Sequence, residues 1–292
     1  MLRFLRIFVG CFQLINPMNK NLQYIVNFYI SSSLHVAIAV VCLTAVSLLT
    51  FGRNFDFPLL VFVFLGTISS YNFVKYSGVA KLHHTSLPNN LKAIQIFSFI
   101  VFVGLIISIL YQPFEIIAIA AGAGGLTVLY ALPVFSENRN LRAIPGLKIY
   151  VIGMVVSIVT VILPLALNVN LLQQDVIIAF LQRFFLVIAL VLPFEIRDLK
   201  YDREQLGTIP QRIGVSGTKK VGYFLVLVVV LSEFLKQEIR AENVYSLVVM
   251  GIVTILVLRG STIDQGEYYA SVWVEAIPIF WFLLLFGMSG GM

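Results

Sequence analysis

The residues of this chain that could do chemistry are concentrated between positions 194 and 214, in the stretch FEIRDLKYDREQLGTIPQRIG. If a helix runs through its first half, Glu195, Asp198 and Asp202 stand at i, i+3 and i+7 and share one face. Carboxylates so spaced can hold Mg²⁺, which takes one or two carboxylates and completes its shell with waters and substrate phosphates. Arg197, Lys200, Arg203 and Arg212 could then meet phosphate oxygens directly, the arginines through their planar forks. The plainer alternative is a solvated helix end in which Asp198 with Lys200, or Asp202 with Arg203, balance charge. Which reading holds depends on where the segment sits.

The elements that must position it are apolar. Hydrophobic residues make up 59% of the 292 and charged residues 12%, with a mean hydropathy of +0.96; a soluble domain is roughly 45–50% apolar. A helix needs about 20 apolar residues to cross a hydrocarbon core. Nine predominantly apolar runs answer to this, at residues 24–50, 57–74, 91–111, 114–133, 149–168, 176–194, 221–235, 244–258 and 269–288. The seventh and eighth are short enough to be tilted or partly interfacial. Barrel strands are excluded, because runs such as VGYFLVLVVVL are apolar on all sides instead of alternating. The expected fold class is therefore all-α, one polytopic helical bundle over residues 1–292, with residues 1–23 a basic interfacial lead into the first span. Cys11 and Cys42 give no pairing framework, and there is no Walker motif, GxGxxG or serine hydrolase elbow. In this setting the segment at 194–214 closes the sixth span. Carboxylates at the mouth of a membrane bundle are costly and tend to be functional, which favours the metal-and-phosphate reading.

Lys and Arg mark cytoplasmic loops. With nine spans, sixteen of the twenty fall on the side of the amino terminus, three on the other (Arg53, Lys236 and Arg240), and Arg183 lies within the sixth span. The amino terminus is expected inside, at the inner membrane if the cell is bacterial. The net charge of +6 is topology signalling and needs no nucleic-acid partner; the bilayer is the partner surface, and the basic inner loops could also hold an anion.

The stretch from Arg197 resembles the second aspartate-rich motif of the UbiA superfamily of membrane prenyltransferases, RDxxxDxxxGxxTxPxxxG, standing here as RDLKYDREQLGTIPQRIG. Helix count and the inside amino terminus also match. A weaker likeness follows the fourth span, where LYALP at 129–133 and Leu147-Lys148 resemble the family's tyrosine and proline turn and basic loop. The resemblance implies transfer of an isoprenoid from its diphosphate to a lipophilic acceptor, with Mg²⁺ held by Asp198 and Asp202. It implies diphosphate contacts from Arg197, Lys200 and Arg212, a polar contact from Asn72, and a pocket wall at Tyr130. Its alternative is a non-catalytic relative that binds an isoprenoid or quinone, or a small anion transporter.

The family's first motif, NxxxDxxxD, is degenerate here. Asn72 is in place, but Tyr76 and Ala80 stand at the Asp positions, and no Asp or Glu occurs between Phe57 and Phe114. Lys75, three residues after Asn72 and on about the same face, either replaces the missing cation as a phosphate partner or marks the inner side. Elsewhere, His83-His84 is expected to be solvated loop, His35 to pack against a neighbouring helix, and Arg183 to snorkel outward toward Asp175. Small residues from Ala118 to Gly125 suggest close helix approach. Glu275 in the last span has no assigned role.

Overall fold

In hydrocarbon each backbone amide must be satisfied within its own segment, and the apolar runs do this as helices. The computed structural model describes residues 20–76, 91–132, 144, 146–200, 207–266 and 268–290. The expectations for the amino-terminal lead up to residue 19, Cys11, Ala80, His83-His84, Asp202 and Arg203 lie outside the described residues. The elements are α1 (Lys20–Ser31), α2 (Leu34–Thr50), α3 (Phe57–Tyr76), α4 (Leu91–Ile109) and α5 (Phe114–Ala131). They continue as α6 (Leu147–Leu165), α7 (Gln174–Asp198), α8 (Ile209–Ser232), α9 (Ala241–Gly260) and α10 (Tyr269–Met288). Among the described residues eight helices are long and apolar enough to cross a membrane, and α1 with α2 forms a ninth, bent by 54°.

That bend corrects the expectation of one unbroken first span. Ser31, Ser32 and Ser33 interrupt it, and Ser33 takes φ 64, a left-handed conformation rare outside glycine. Serine hydroxyls offer the backbone partners other than the helix ladder; here the Ser32 hydroxyl donates to the Tyr29 carbonyl at 3.4 Å. Two spans carry π-helical turns, Ile158–Ile162 in α6 and Tyr269–Val274 in α10. Each precedes a proline, Pro164 or Pro278, whose ring obstructs the carbonyl four residues earlier. The seventh run is also longer than expected. α8 begins at Ile209 and carries Lys219 and Lys220 inside the helix, Lys219 donating to the Arg259 carbonyl at the end of α9 (2.8 Å).

The helices close around α2 and α7. In sequence of contact, α4 packs on α3, α3 on α2, α2 on α10, α10 on α9, α9 on α8, α8 on α7, α7 on α6, and α6 on α5. The largest apolar core joins Leu43 and Val46 of α2, Leu186 of α7, Met250 of α9 and Ile277 and Leu285 of α10. Arg183 does not snorkel to Asp175. It is buried, donates to the Leu43 carbonyl (2.9 Å) and the Ser47 hydroxyl (3.2 Å), and lies 5.1 Å over the Trp281 ring. Asp175 instead accepts from the backbone N–H groups of Gln237 and Glu238. The small residues of α5 do not mediate close approach either: a Cβ at Gly122, Gly124 or Gly125 would meet nothing within 4 Å.

Candidate functional site

The C-terminal end of α7 carries Glu195, Arg197 and Asp198, and the helix stops at Asp198, with Leu199 and Lys200 in a turn. Glu195 is 2% exposed. Lys148, from the first turn of α6, reaches it with Nζ 2.9 Å from Oε1 and stands 3.9 Å from Asp198 Oδ2. Arg197 folds onto its neighbour, Nε at 2.9 Å and Nη2 at 2.8 Å from Asp198 Oδ1, with its guanidinium 5.4 Å over the Phe194 ring. Glu195 and Asp198 thus share the face that their spacing predicts, joined by a lysine that sequence reasoning left out of the site. The basic residue following the tyrosine and proline turn was the signal for it.

Local backbone chemistry brings Lys148 there. Gly146, at φ 75 just before α6, packs on the carbonyl of Gly207, which is itself at φ 55; a Cβ on Gly146 would lie 3.3 Å from that oxygen. After Gly207, Thr208 is extended (φ −64, ψ 159) and starts α8, Pro210 occupies its first turn, and the Gln211 side chain accepts from the Thr208 N–H at 3.2 Å. Gly214 then turns to φ 71 and kinks the helix. Gly, Thr, Pro and Gly of the motif are therefore the residues that turn the chain from α7 into α8.

The face of α3 that would bear the first motif does something different. Asn72 is buried and spends its whole amide: Oδ1 accepts from the Ser33 hydroxyl (2.6 Å), and Nδ2 donates to the Ser32 carbonyl (3.2 Å) and the Ser98 hydroxyl (2.8 Å). The Tyr76 hydroxyl donates to the Ser31 carbonyl at 2.8 Å, and Lys75 Nζ reaches the same oxygen at 3.2 Å. Three residues at i, i+3 and i+4 clamp the carbonyl end of α1, where a cation is also favoured by the helix dipole.

Lys75 and Arg197 both act electrostatically on Glu275, which follows the π-helical turn of α10, and Tyr71 of α3 feels Glu275, Arg197 and Asp198. Tyr130 is buried at the end of α5 and acts on Lys148. Lys148, Arg197, Glu195 and Asp198 thus form one ion-paired cluster at the ends of α6 and α7, beside Tyr130 of α5, and Glu275 of α10, which Lys75 of α3 also influences, lies within electrostatic range of Arg197. Lys200 turns away to an exposed pair with Asp264 (3.2 Å), and Arg212 is exposed on the first turns of α8. Among the described residues no three His, Cys, Asp or Glu side chains converge. Among the described residues Asp198 Oδ2 has only the long Lys148 contact, and so offers Mg²⁺ one hard oxygen of the kind it takes alongside phosphates and waters.

No family model matches the chain, and no curated protein matches it. Among solved structures the fold is similar to that of digeranylgeranylglyceryl phosphate synthase, at a TM-score of 0.57 over 92% of this chain and 100% of that one, with 14% sequence identity. The all-helical bundle with its membrane-length spans thus has a fold similar to that of this synthase.

Proposed function

We propose that the chain is an integral membrane prenyltransferase that binds a prenyl diphosphate at the inner end of α7 and transfers the isoprenoid to a lipophilic acceptor. The carrying observation is the cluster in which Lys148 and Arg197 pair with Glu195 and Asp198 at the mouth of an apolar bundle. A prenyl tail dissolves among the helices, and its diphosphate needs the cations at the end. Transfer breaks the carbon–oxygen bond to the diphosphate, joins the prenyl carbon to the acceptor, and releases pyrophosphate and a proton. Arg197 is suited to fork two phosphate oxygens in exchange for Asp198, which frees that carboxylate. Lys75 has three donors and spends one on Ser31, so it can hold the α1 junction and still meet a phosphate. Asp198, with Asp202 beyond the described residues, would hold Mg²⁺, which when bound would stabilise the charge on the leaving diphosphate. Lys200 and Arg212 belong to the same proposal as outer contacts of the diphosphate. Incubation with geranylgeranyl diphosphate, Mg²⁺ and a lipid extract of the source membrane should release pyrophosphate, and Asp198→Asn should abolish the release.

One observation favours the non-catalytic alternative. Asn72 and Tyr76 are committed to the α1 junction, so α3 offers no carboxylate for a second metal ion. A chain that binds prenyl diphosphate tightly but releases no pyrophosphate with any acceptor in the extract would be a binder.

A further inference from the structure

A second set of unspent polar groups lies at the opposite end of the bundle, unrelated to the cluster above. A cavity of about 230 Å³ opens between the outer ends of α2, α3, α5 and α6. Its floor includes Leu59, Ile116 and Leu167, and its polar wall includes Arg53, Asp56 and Gln112. Arg53 gives one Nη2 hydrogen to the Asn168 carbonyl at 2.8 Å; its other donors have no partner among the described residues. Asp56 uses one oxygen to cap α3, accepting from the Leu59 N–H at 3.0 Å. Although Arg53 and Asp56 are three residues apart and line the same space, they do not pair with each other. The side-chain amide nitrogen of Gln112 is shielded from solvent and has no partner among the described residues, a costly state for a donor.

An arginine fork and a buried amide donor call for an acceptor-rich group, and a carboxylate held apart from the arginine calls for a cation on the same ligand. The volume is below the roughly 300–1,000 Å³ of ordinary small-molecule sites, which suits a headgroup and excludes a prenyl chain. Tyr111, in the turn that leads into α5, is largely exposed at this end of the bundle, as are Phe57 and Phe114, and interfacial tyrosines mark headgroup depth. We propose that this cavity binds a phosphodiester headgroup bearing an ammonium, with Arg53 and Gln112 on the phosphate and Asp56 on the ammonium.

The test uses the full-length protein in detergent, with native mass spectrometry after addition of equimolar phosphatidylethanolamine, phosphatidylglycerol and phosphatidylcholine. Wild type should retain phosphatidylethanolamine best. Arg53→Ala should lower retention of both phosphatidylethanolamine and phosphatidylglycerol about tenfold or more, as loss of a charged hydrogen bond does. Asp56→Asn keeps an oxygen to cap α3 and should erase the preference for phosphatidylethanolamine over phosphatidylglycerol. Gln112→Leu should weaken retention without lowering the unfolding temperature, which separates loss of the site from loss of the fold. Free phosphoethanolamine that raises the unfolding temperature in an Arg53-dependent way, with no lipid retained, would give the same site a soluble ligand. Equal retention of the three lipids together with no effect of phosphoethanolamine would overturn the proposal, as would an Arg53→Ala variant that keeps the wild-type pattern.

Discussion

Replacing Lys148 by methionine probes the junction on which the candidate site depends. The ammonium lies 2.9 Å from Glu195, whose side chain is 3% exposed, while Lys148 is 44% exposed. Removing one partner from a fully buried pair costs about 3–5 kcal/mol. Water reaches nearly half of the lysine and screens part of that attraction, so the expected cost is about 1.5–3 kcal/mol, the range of a hydrogen bond to a charged group. At about 2–4 °C per kcal/mol for a chain of this size, unfolding in micelles followed by tryptophan fluorescence should shift down by about 3–12 °C. The discriminating step is the double variant with Glu195→Gln, which leaves no uncompensated buried charge. It should recover part of the loss, with a coupling of at least about 1 kcal/mol. Additivity of the two single effects within about 0.5 kcal/mol would mean that the pair does not hold α6 against α7, and the assembly of the site described above would fail.

Asn72→Ala should lower stability by about 2–3 kcal/mol, because it strips three bonds from the α1–α2 junction and leaves the Ser32 carbonyl without its donor; the same unfolding assay reads it. Ser33→Gly should stay within about 1 kcal/mol of wild type, since relief of the left-handed backbone cost offsets loss of the hydroxyl bond to Asn72. Ser33→Val adds a β-branch at positive φ and should cost more than about 2 kcal/mol. A membrane-impermeant thiol reagent on intact cells should label the Glu238→Cys variant and not the Asp264→Cys variant. Both side chains are exposed, at 75% and 83%, so the opposite pattern would invert the topology.

The helices were legible because hydrocarbon imposes one requirement on a long run of residues, and the limits of α3, α5, α9 and α10 fall within a few residues of the charges and prolines that bound them. The shared face of Glu195 and Asp198 was legible from spacing alone. The break at Ser33 was not: serines in an apolar run are compatible with an unbroken helix, and the bend depends on Asn72, 39 residues away, to bind it. The start of α8 was hidden by Lys219 and Lys220, charges that a helix tolerates when one of them ends on the Arg259 carbonyl. Glu275 was invisible as a site member because its partners lie on other spans, and Lys148 was legible only as the basic residue after the tyrosine and proline turn. Arg183 misled for a related reason: its distance from the membrane surface says nothing of the Leu43 carbonyl and Trp281 ring that receive it.

The central claim, that the C-terminal end of α7 takes a prenyl diphosphate together with Mg²⁺, is tested most directly by calorimetric titration of geranylgeranyl diphosphate into the purified protein with and without Mg²⁺. Saturable binding that requires Mg²⁺ and is lost in Asp198→Asn is the predicted result. Absence of binding in both conditions, or binding that Asp198→Asn leaves unchanged, would contradict it.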